Sequence, residues 1–340
     1  MDGRSQCFIT ATLSIVAFIL SAAVSVFSAV KLSGYADIIS RNTKIGGLLA
    51  GTILLAVATS LPELTATISA SVIGNADIAV GNGLGSIIFN IFFLFLLDIY
   101  FRNKRLFLKV SDDHLYTAII ALLLCVVTAG GLILHYPLSY FGVSVISLLV
   151  VIIYLGGMFY ISQKQNDTAE EEKTASPDQN VNIRRTIIKF ITFAVIIFIS
   201  GSTLSISGDI MSTTTGISAT AVGSILVATA TSLPDAVSVF VALRLANVNM
   251  AIGTILGSNI FNVLVTAIGD AFYRGGSIWV DTSNQTTVVA VAGFVLTGLV
   301  MIIVKRDRTR NAFTYMLPSL VVVTGYMIMI ASILFYNESA

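Results

Sequence analysis

Apolar runs long enough to cross a membrane recur along the whole chain. A helix needs about 20 apolar residues to span the hydrocarbon core of a bilayer. Ten such runs can be counted: 7–30, 45–71, 78–99, 114–134, 138–162, 186–210, 218–244, 250–272, 286–304 and 312–335. The longest polar stretch lies between the fifth and sixth runs, at 163–185. The pattern predicts an all-α membrane protein of two five-helix halves, 1–162 and 186–340, joined by a linker at 163–185.

Composition supports a membrane protein, and charge predicts its orientation. Charged residues make up 11% of the chain, against roughly 25% in an ordinary soluble domain, and the mean hydropathy is +0.91. Of the 19 Lys and Arg residues, all but Arg4 and Arg274 fall in loops on one face of the ten-helix arrangement. Because positive loops stay in the cytoplasm, we expect a multi-pass protein of the cell membrane with a cytoplasmic linker and both termini outside. Run 7–30 is expected to be a helix, since it is too long for the core of a typical signal peptide.

Two segments of the chain are copies of each other. Residues 47–90 and 219–262 align without a gap at an offset of 172, with 19 identities in 44 positions. Five spans separate the starts of the two repeats, about 45–99 and 218–272, so they enter the membrane from opposite sides. Pro62 and Pro234 lie near the middle of their runs, where proline disrupts a helix. The expected fold is therefore ten transmembrane helices in two inverted five-helix repeats, with broken helices at the midplane.

Each copy places an acid inside an apolar run, at Glu63 and Asp235, and no Lys or Arg lies at a similar depth. An unpaired acid there costs at least ~3 kcal/mol, so it must be protonated, hydrated or bound to a cation. Hydroxyl and amide side chains recur around both acids. They are Thr59, Ser60, Ser86 and Asn90 in the first copy and Thr231, Ser232, Ser258 and Asn262 in the second. Such an all-oxygen set suits a hard cation, and Ca²⁺ takes six to eight oxygens.

Other interpretations of these residues compete with an ion site. Proline can simply kink a membrane helix, Ser and Thr can bond to their own helix, and Asn can join helices. The same set appears twice around an acid, which favours the ion site. Asp98 and Asp270 also correspond at the offset of 172, near helix ends. We expect them to be solvated or capping residues, with a role in ion access as the alternative.

Other function classes are disfavoured by what the chain contains. Two His and two Cys give soft metals few ligands. The absence of a P-loop motif argues against a pump driven by ATP. We therefore expect no enzyme activity, no cofactor, no nucleic acid and no obligate protein partner besides the lipid bilayer.

The paired motifs TSLPE with GSIIFN and TSLPD with GSNIFN resemble those of the calcium/cation antiporter superfamily, and the chain is similar to its prokaryotic sodium/calcium exchangers. The resemblance implies exchange of cytoplasmic Ca²⁺ for external Na⁺. It implies ion ligation by the acids, hydroxyls and amides named above and by the backbone carbonyls of Ala56 and Ala228. Asn262 stands where some prokaryotic exchangers have an aspartate, so the centre has two carboxylates instead of three. Ile87 replaces the Asn of the GSN motif.

The leading hypothesis is a secondary active antiporter in which Ca²⁺ and Na⁺ occupy overlapping oxygen sites in turn. A Ca²⁺/H⁺ antiporter is the nearest alternative, because a carboxylate in a low dielectric favours its neutral form and could carry a proton. A K⁺-dependent Na⁺/Ca²⁺ exchanger also stays open. A cation channel and a membrane scaffold that transports nothing are more distant alternatives.

Overall fold

Helices account for nearly all of the structure, a computed structural model that describes residues 3–42, 57–102, 108, 110–111, 114–135, 137–140, 142–166, 182–245, 247–304 and 312–335. The helices are α1 Gly3–Asn42, α2 Leu61–Val72, α3 Ala76–Tyr100, α4 His114–Leu134, α5 Val145–Asn166, α6 Ile183–Thr215, α7 Ala219–Arg244, α8 Val248–Phe272, α9 Asn284–Val304 and α10 Ala312–Phe335. Strands β1 Ser139–Tyr140 and β2 Val143–Ser144 form a small antiparallel hairpin.

Each of these helices matches one of the apolar runs, which confirms the all-α prediction. Eight of the described helices are long and apolar enough to cross a membrane. The apolar part of α5, Val145–Ile161, is shorter, because the run 138–162 begins with the β1–β2 hairpin, which was not predicted. Only the second part of run 45–71 forms α2, and residues 45–56 lie outside the described part of the chain. Most of the linker, 167–181, lies outside it as well.

The hydrophobic core of the described residues consists of one large cluster and two smaller ones. The larger cluster surrounds α3 and α8 and includes buried side chains of α4, α7, α9 and α10. Two smaller clusters join α1 and α6 to α2 and the first part of α7. The long helices α1 and α6 pack along each other. They therefore form a pair that lies beside the repeat helices and shares little of their main core.

The backbone differs between the two copies at the Ser-Leu-Pro segment. The chain bends at Ser60, just before α2, and Pro62 lies in the first turn of that helix. Backbone N–H groups of a first turn have no partner within the helix, so the N–H that proline lacks is not needed there. Pro234 instead lies inside the continuous helix α7. The irregular part of α7 comes earlier, where Val222–Val227 is π-helical, a distortion that is frequent at functional sites. The same Ser-Leu-Pro sequence thus begins a helix in the first copy and lies within a continuous helix in the second.

Glycines allow α3 and α7 to approach each other at backbone distance. A Cβ on Gly85 would overlap the backbone of Ser224, and a Cβ on Gly81 would lie 3.0 Å from the Ser224 nitrogen. A Cβ on Gly223 would lie 2.7 Å from the Ile78 Cα. This contact brings the first and second repeats together next to the two acids.

Asp98 and Asp270 are not solvated, as was expected for the ends of helices; they are 1% and 0% exposed. Asp98 accepts hydrogen bonds from Tyr315 Oη at 2.5 Å and Ser319 Oγ at 2.6 Å. Asp270 accepts from Ser147 Oγ at 2.7 Å and also from the backbone nitrogens of Ser144 and Ile278. The solvated interpretation is therefore wrong. Each acid anchors a repeat helix to the helix, α10 or α5, that packs against it.

The internal symmetry extends beyond the duplicated segments. Ser147 and Ser319, which bond the two equivalent aspartates, are themselves separated by 172 residues. Cys125 of α4 and Thr297 of α9 are also 172 residues apart, and Cys125 Sγ lies 3.8 Å from Thr297 Oγ1. Equivalent residues touch only where they meet at the symmetry axis. The pseudo-twofold axis of the inverted repeats therefore passes between α4 and α9.

Substitution of Gly85 by alanine is expected to destabilise the protein. Overpacking costs about 1–3 kcal/mol, which outweighs the gain in helix propensity of about 1 kcal/mol. The matched control is Gly257→Ala at the equivalent position, where a Cβ meets nothing within 4 Å. Thermal unfolding in detergent should show a lower midpoint for Gly85→Ala and no loss for Gly257→Ala. Equal midpoints for Gly85→Ala and the wild type would contradict the close approach of α3 and α7.

Candidate functional site

Glu63 of α2 and Asp235 of α7 are both buried in the protein interior, with 0% and 1% of their surface exposed. They lie close enough for the Asp235 charge to act on Glu63. Neither oxygen of Asp235 has a hydrogen-bond partner among the described residues, and Glu63 Oε2 has none either. The two acids thus lie within reach of each other's charge, in a region where each charge is expensive to bury.

A hydroxyl of the second repeat reaches the acid of the first. Ser232 Oγ donates a hydrogen bond to Glu63 Oε1 at 3.3 Å. Ser232 directly precedes the Leu-Pro-Asp of its own motif, so the TSLPD segment contacts the TSLPE acid across the repeat interface. The two motifs therefore contribute to one site rather than to two separate ones.

On the Asp235 side, the nearest polar side chains come from α3 and α8. Asn90 and Ser258 both lie beside Asp235. The Asn90 Nδ2 donates to Asn259 Oδ1 at 3.1 Å, which leaves the Asn90 Oδ1 without a partner among the described residues. The nitrogen of the Asn90 amide is thus held by α8 beside Asp235.

Unpartnered buried oxygens are concentrated in this region of the structure. More than nine in ten buried polar groups in proteins have a hydrogen-bond partner, and one left without costs about 1–3 kcal/mol. Within the described residues, six such oxygens belong to the predicted site: Glu63 Oε2, Asp235 Oδ1, Asp235 Oδ2, Ser86 Oγ, Asn90 Oδ1 and Asn262 Oδ1. The side-chain nitrogens of Asn259 and Asn262 are unpartnered too. Carboxylate, amide and hydroxyl oxygens together are the ligand set of a hard cation.

The structure joins five of the twelve predicted residues by direct contacts at this centre. Glu63, Asp235, Ser232, Asn90 and Ser258 are joined by the contacts above. The remaining predicted residues lie on the same helices or just before α2. Ser60, Ser86, Thr231, Asn262 and Ala228 are buried, and Thr59 is half-buried. Ala56 lies outside the described residues, so its predicted carbonyl has no position here.

Two asparagines of the centre were missed in the sequence. Asn82 donates from Nδ2 to the Glu63 carbonyl oxygen at 3.1 Å and accepts at Oδ1 from Thr231 Oγ1 at 3.1 Å. Asn259 holds Asn90, as described. The equivalents of these asparagines at the offset of 172 are Thr254 and Ile87. Because neither asparagine is repeated in the other copy, comparison of the two copies does not identify them as site residues. The sequence signal that could have identified them is a polar amide inside an apolar run.

The two ends of the centre are covered unequally. The part of α2 beyond Glu63 is held by α6, because Ser205 Oγ donates to the Ala66 carbonyl at 2.7 Å and Ser69 Oγ donates to Ser202 Oγ at 2.8 Å. On α7, Val237 and Val241 stand at the positions equivalent to Thr65 and Ser69. They are 44% and 48% exposed. The α6 helix therefore covers the end of α2, whereas the equivalent end of α7 is not covered in the same way, although the two segments are similar in sequence.

Comparison with known proteins identifies relatives over most of the chain. The family model described as sodium/calcium exchanger protein matches residues 13–160 and 186–335. The inner membrane protein YrbG of Escherichia coli (strain K12) is 26% identical over 256 residues, which cover 74% of this chain and 78% of that protein. The putative antiporter CaxA of Alkalimonas amylolytica is 24% identical over 243 residues, covering 71% of this chain and 75% of that protein.

Solved structures agree on the fold. The sodium-calcium exchanger NCX_Mj superposes with a TM-score of 0.58 at 20% identity, covering 95% of this chain and 99% of that chain. The H⁺/Ca²⁺ exchanger CAX superposes with a TM-score of 0.64 at 11% identity, covering 94% and 88%. At these identities the likeness is one of architecture, and it confirms the prediction of a helical membrane protein built from inverted repeats.

A cation that binds between the two acids should stabilise the purified protein. Ca²⁺ at 100 times its dissociation constant adds about 2.7 kcal/mol to the free energy of unfolding, so the thermal midpoint in detergent should rise. Glu63→Gln removes one charge of the pair and should abolish the rise. The exposed Asp281 gives the control Asp281→Asn, which should respond like the wild type. A Ca²⁺ response retained in Glu63→Gln would contradict binding at this centre.

Proposed function

The chain belongs to the sodium/calcium exchanger protein family of membrane cation antiporters, and on this premise we propose that it exchanges Ca²⁺ for Na⁺ by alternating access. One observation carries the proposal: two buried carboxylates lie within reach of each other's charge, and several oxygens at this centre have no hydrogen-bond partner among the described residues. A buried, unpaired acid pair is stable only when its charge is compensated. The transported ion supplies that compensation.

The proposed ligands combine the contacts described above with the family resemblance. Carboxylates come from Glu63 and Asp235, hydroxyls from Thr59, Ser60, Ser86, Thr231, Ser232 and Ser258, amide oxygens from Asn90 and Asn262, and backbone carbonyls from Ala56 and Ala228. Each ion uses a subset of these oxygens, since Ca²⁺ takes six to eight. One divalent ion neutralises both carboxylates, and Na⁺ ions at overlapping oxygens do the same. The two cargoes are therefore mutually exclusive at the centre.

Charge balance links this centre to the energetics of exchange. With Asn262 in place of a third acid, the centre has two negative charges, so two Na⁺ balance one Ca²⁺. Export of Ca²⁺ against a large gradient requires more Na⁺ than that. A further Na⁺ would use the neutral hydroxyl, amide and carbonyl oxygens, and the excess charge would make transport electrogenic.

The unequal covering of the centre fits one state of an alternating-access cycle. The distribution of Lys and Arg supports external termini and a cytoplasmic linker. In that orientation, α2 runs outward beyond Glu63, and this outer half is the part that α6 covers. The inner half of α7 exposes Val237 and Val241. We propose that this cover by α6 closes the outer side of the centre in one state of the cycle, and that movement of α1 and α6 past the repeat helices alternates access between the two sides.

Proton coupling is the second candidate function. The proximity of Glu63 and Asp235 favours it, because two carboxylates that share a site raise each other's affinity for a proton. One proton on the pair would then replace part of the metal charge. A K⁺-dependent form of Na⁺/Ca²⁺ exchange uses the same oxygens and differs only in its third ion.

Uptake of radioactive Ca²⁺ into sealed proteoliposomes tests the proposal. An outward Na⁺ gradient should drive uptake, and Glu63→Gln and Asp235→Asn should each abolish it, since loss of one charge leaves Ca²⁺ uncompensated. Asp281→Asn, on the exposed loop, should retain wild-type uptake. Wild-type rates in both centre variants would rule out their role in transport.

The driving gradient in the same vesicles separates the alternatives. Uptake driven by a pH gradient and indifferent to Na⁺ would identify Ca²⁺/H⁺ exchange. A requirement for K⁺ together with Na⁺ would identify the K⁺-dependent form. Equal uptake with no opposing gradient would indicate a channel.

A further inference from the structure

Asn82 lies at the centre of a hydrogen-bond network that has no equivalent asparagine in the second repeat. It is fully buried on α3, one turn before Ser86. Its Nδ2 donates to two oxygens of α2, the Glu63 carbonyl at 3.1 Å and Thr67 Oγ1 at 2.9 Å. Its Oδ1 lies 3.1 Å from Thr231 Oγ1 of α7. One amide therefore connects both repeats directly beside the two acids.

The chemistry of the neighbours fixes which way this amide faces. A backbone carbonyl can only accept a hydrogen bond, so the Glu63 carbonyl must face the NH₂ group of Asn82. The amide oxygen must then face Thr231. Since that oxygen can only accept, Thr231 is the donor in the contact. The direction of the Thr231 hydroxyl proton thus follows from geometry.

Thr231 has a second acceptor within reach, and the choice between the two affects the ion site. Its Oγ1 lies 3.3 Å from the carbonyl oxygen of Ala228 in its own helix, the acceptor that a threonine in a helix commonly uses. A hydroxyl has one proton to give. If the proton went to Ala228, it would occupy a carbonyl that is a proposed ion ligand.

We infer that Asn82 is a positioning residue for the ion site: by accepting the Thr231 proton, it leaves both the Thr231 lone pairs and the Ala228 carbonyl free to bind the cation. The inference rests on the proposed function and adds a residue that does not itself need to touch the ion. Partners outside the ligand shell commonly set metal affinity in this way, and their loss costs about 10–100-fold.

The arrangement exists in only one repeat. The equivalent of Asn82 is Thr254, a half-exposed residue whose hydroxyl donates to the Met250 carbonyl of its own helix at 2.8 Å. Among the described residues, Thr254 thus gives its hydroxyl proton to its own helix and not to the first repeat. Asn82 thus orients the Thr231 hydroxyl of α7 before an ion binds. The two halves of the ion site are therefore not equivalent.

A double-mutant cycle in proteoliposomes tests the inference. Asn82→Leu removes both amide functions at similar volume, and Thr231→Val removes the hydroxyl at similar shape. Asn82→Leu should raise the half-saturating Ca²⁺ concentration about tenfold, while the maximal exchange rate changes little. In the Thr231→Val background the same substitution should have no further effect, because there is no proton left to direct. Thr254→Val is the matched control and should behave like the wild type.

The alternatives give different results. If Asn82 only holds α2 and α3 together, Asn82→Leu will lower the thermal midpoint and leave the half-saturating concentration unchanged, which overturns the inference. Effects of Asn82→Leu and Thr231→Val that add fully would overturn it as well, since the amide would then act through Glu63 or Thr67. A wild-type protein that neither takes up Ca²⁺ nor is stabilised by it would overturn the proposed function and this inference together. Normal wild-type uptake with unaltered Asn82→Leu kinetics would overturn the inference alone.

Discussion

Repulsion between two buried carboxylates is the constraint on which the rest of this structure depends. Glu63 and Asp235 come from opposite repeats and both are removed from water, and several oxygens at their centre have no hydrogen-bond partner among the described residues. A fold selected only for stability would replace this pair with apolar side chains, because well-packed apolar groups are often as stable as a buried ion pair. The arrangement is understandable in a protein whose cargo supplies the missing positive charge.

The packing around the pair shows how two copies of one segment form one site. Glycines let α3 approach the π-helical part of α7 at backbone distance, which places the TSLPD hydroxyl Ser232 against Glu63. Asp98 and Asp270 hold the far ends of α3 and α8 to α10 and α5. The repeat helices are therefore fixed at the centre and at their ends. The pair α1 and α6 packs outside the main core and is joined to α2 by hydrogen bonds with α6; the proposed cycle assigns the movement to this pair.

Much of this organisation could be predicted from the sequence because it depends on composition and repetition. Apolar length predicts where helices occur, and α4 matches its run 114–134 at both ends. The duplication predicts the inverted repeats, and the acids inside apolar runs predict the centre. Such signals depend on residue type and spacing, which are fully present in the chain.

What could not be predicted depends on tertiary contacts. Asp98 and Asp270 were expected to be solvated or capping residues because they lie near helix ends, and their buried partners, Ser319 and Ser147, are distant in the chain. The π-helical stretch at Val222–Val227 lies against α3, and no residue type or spacing in the chain predicts it. Asn82 and Asn259 have no equivalents in the other repeat, and only the folded chain shows that they hold Thr231 and Asn90.

Diffraction from crystals soaked with Sr²⁺, a heavier analogue of Ca²⁺, tests the central claim most directly. An anomalous peak should lie between the carboxylates of Glu63 and Asp235, at about the 2.3–2.6 Å typical of Ca²⁺–oxygen ligation or slightly more. A peak elsewhere in the protein, or carboxylates that remain apart and point away from each other in the presence of the ion, would contradict it.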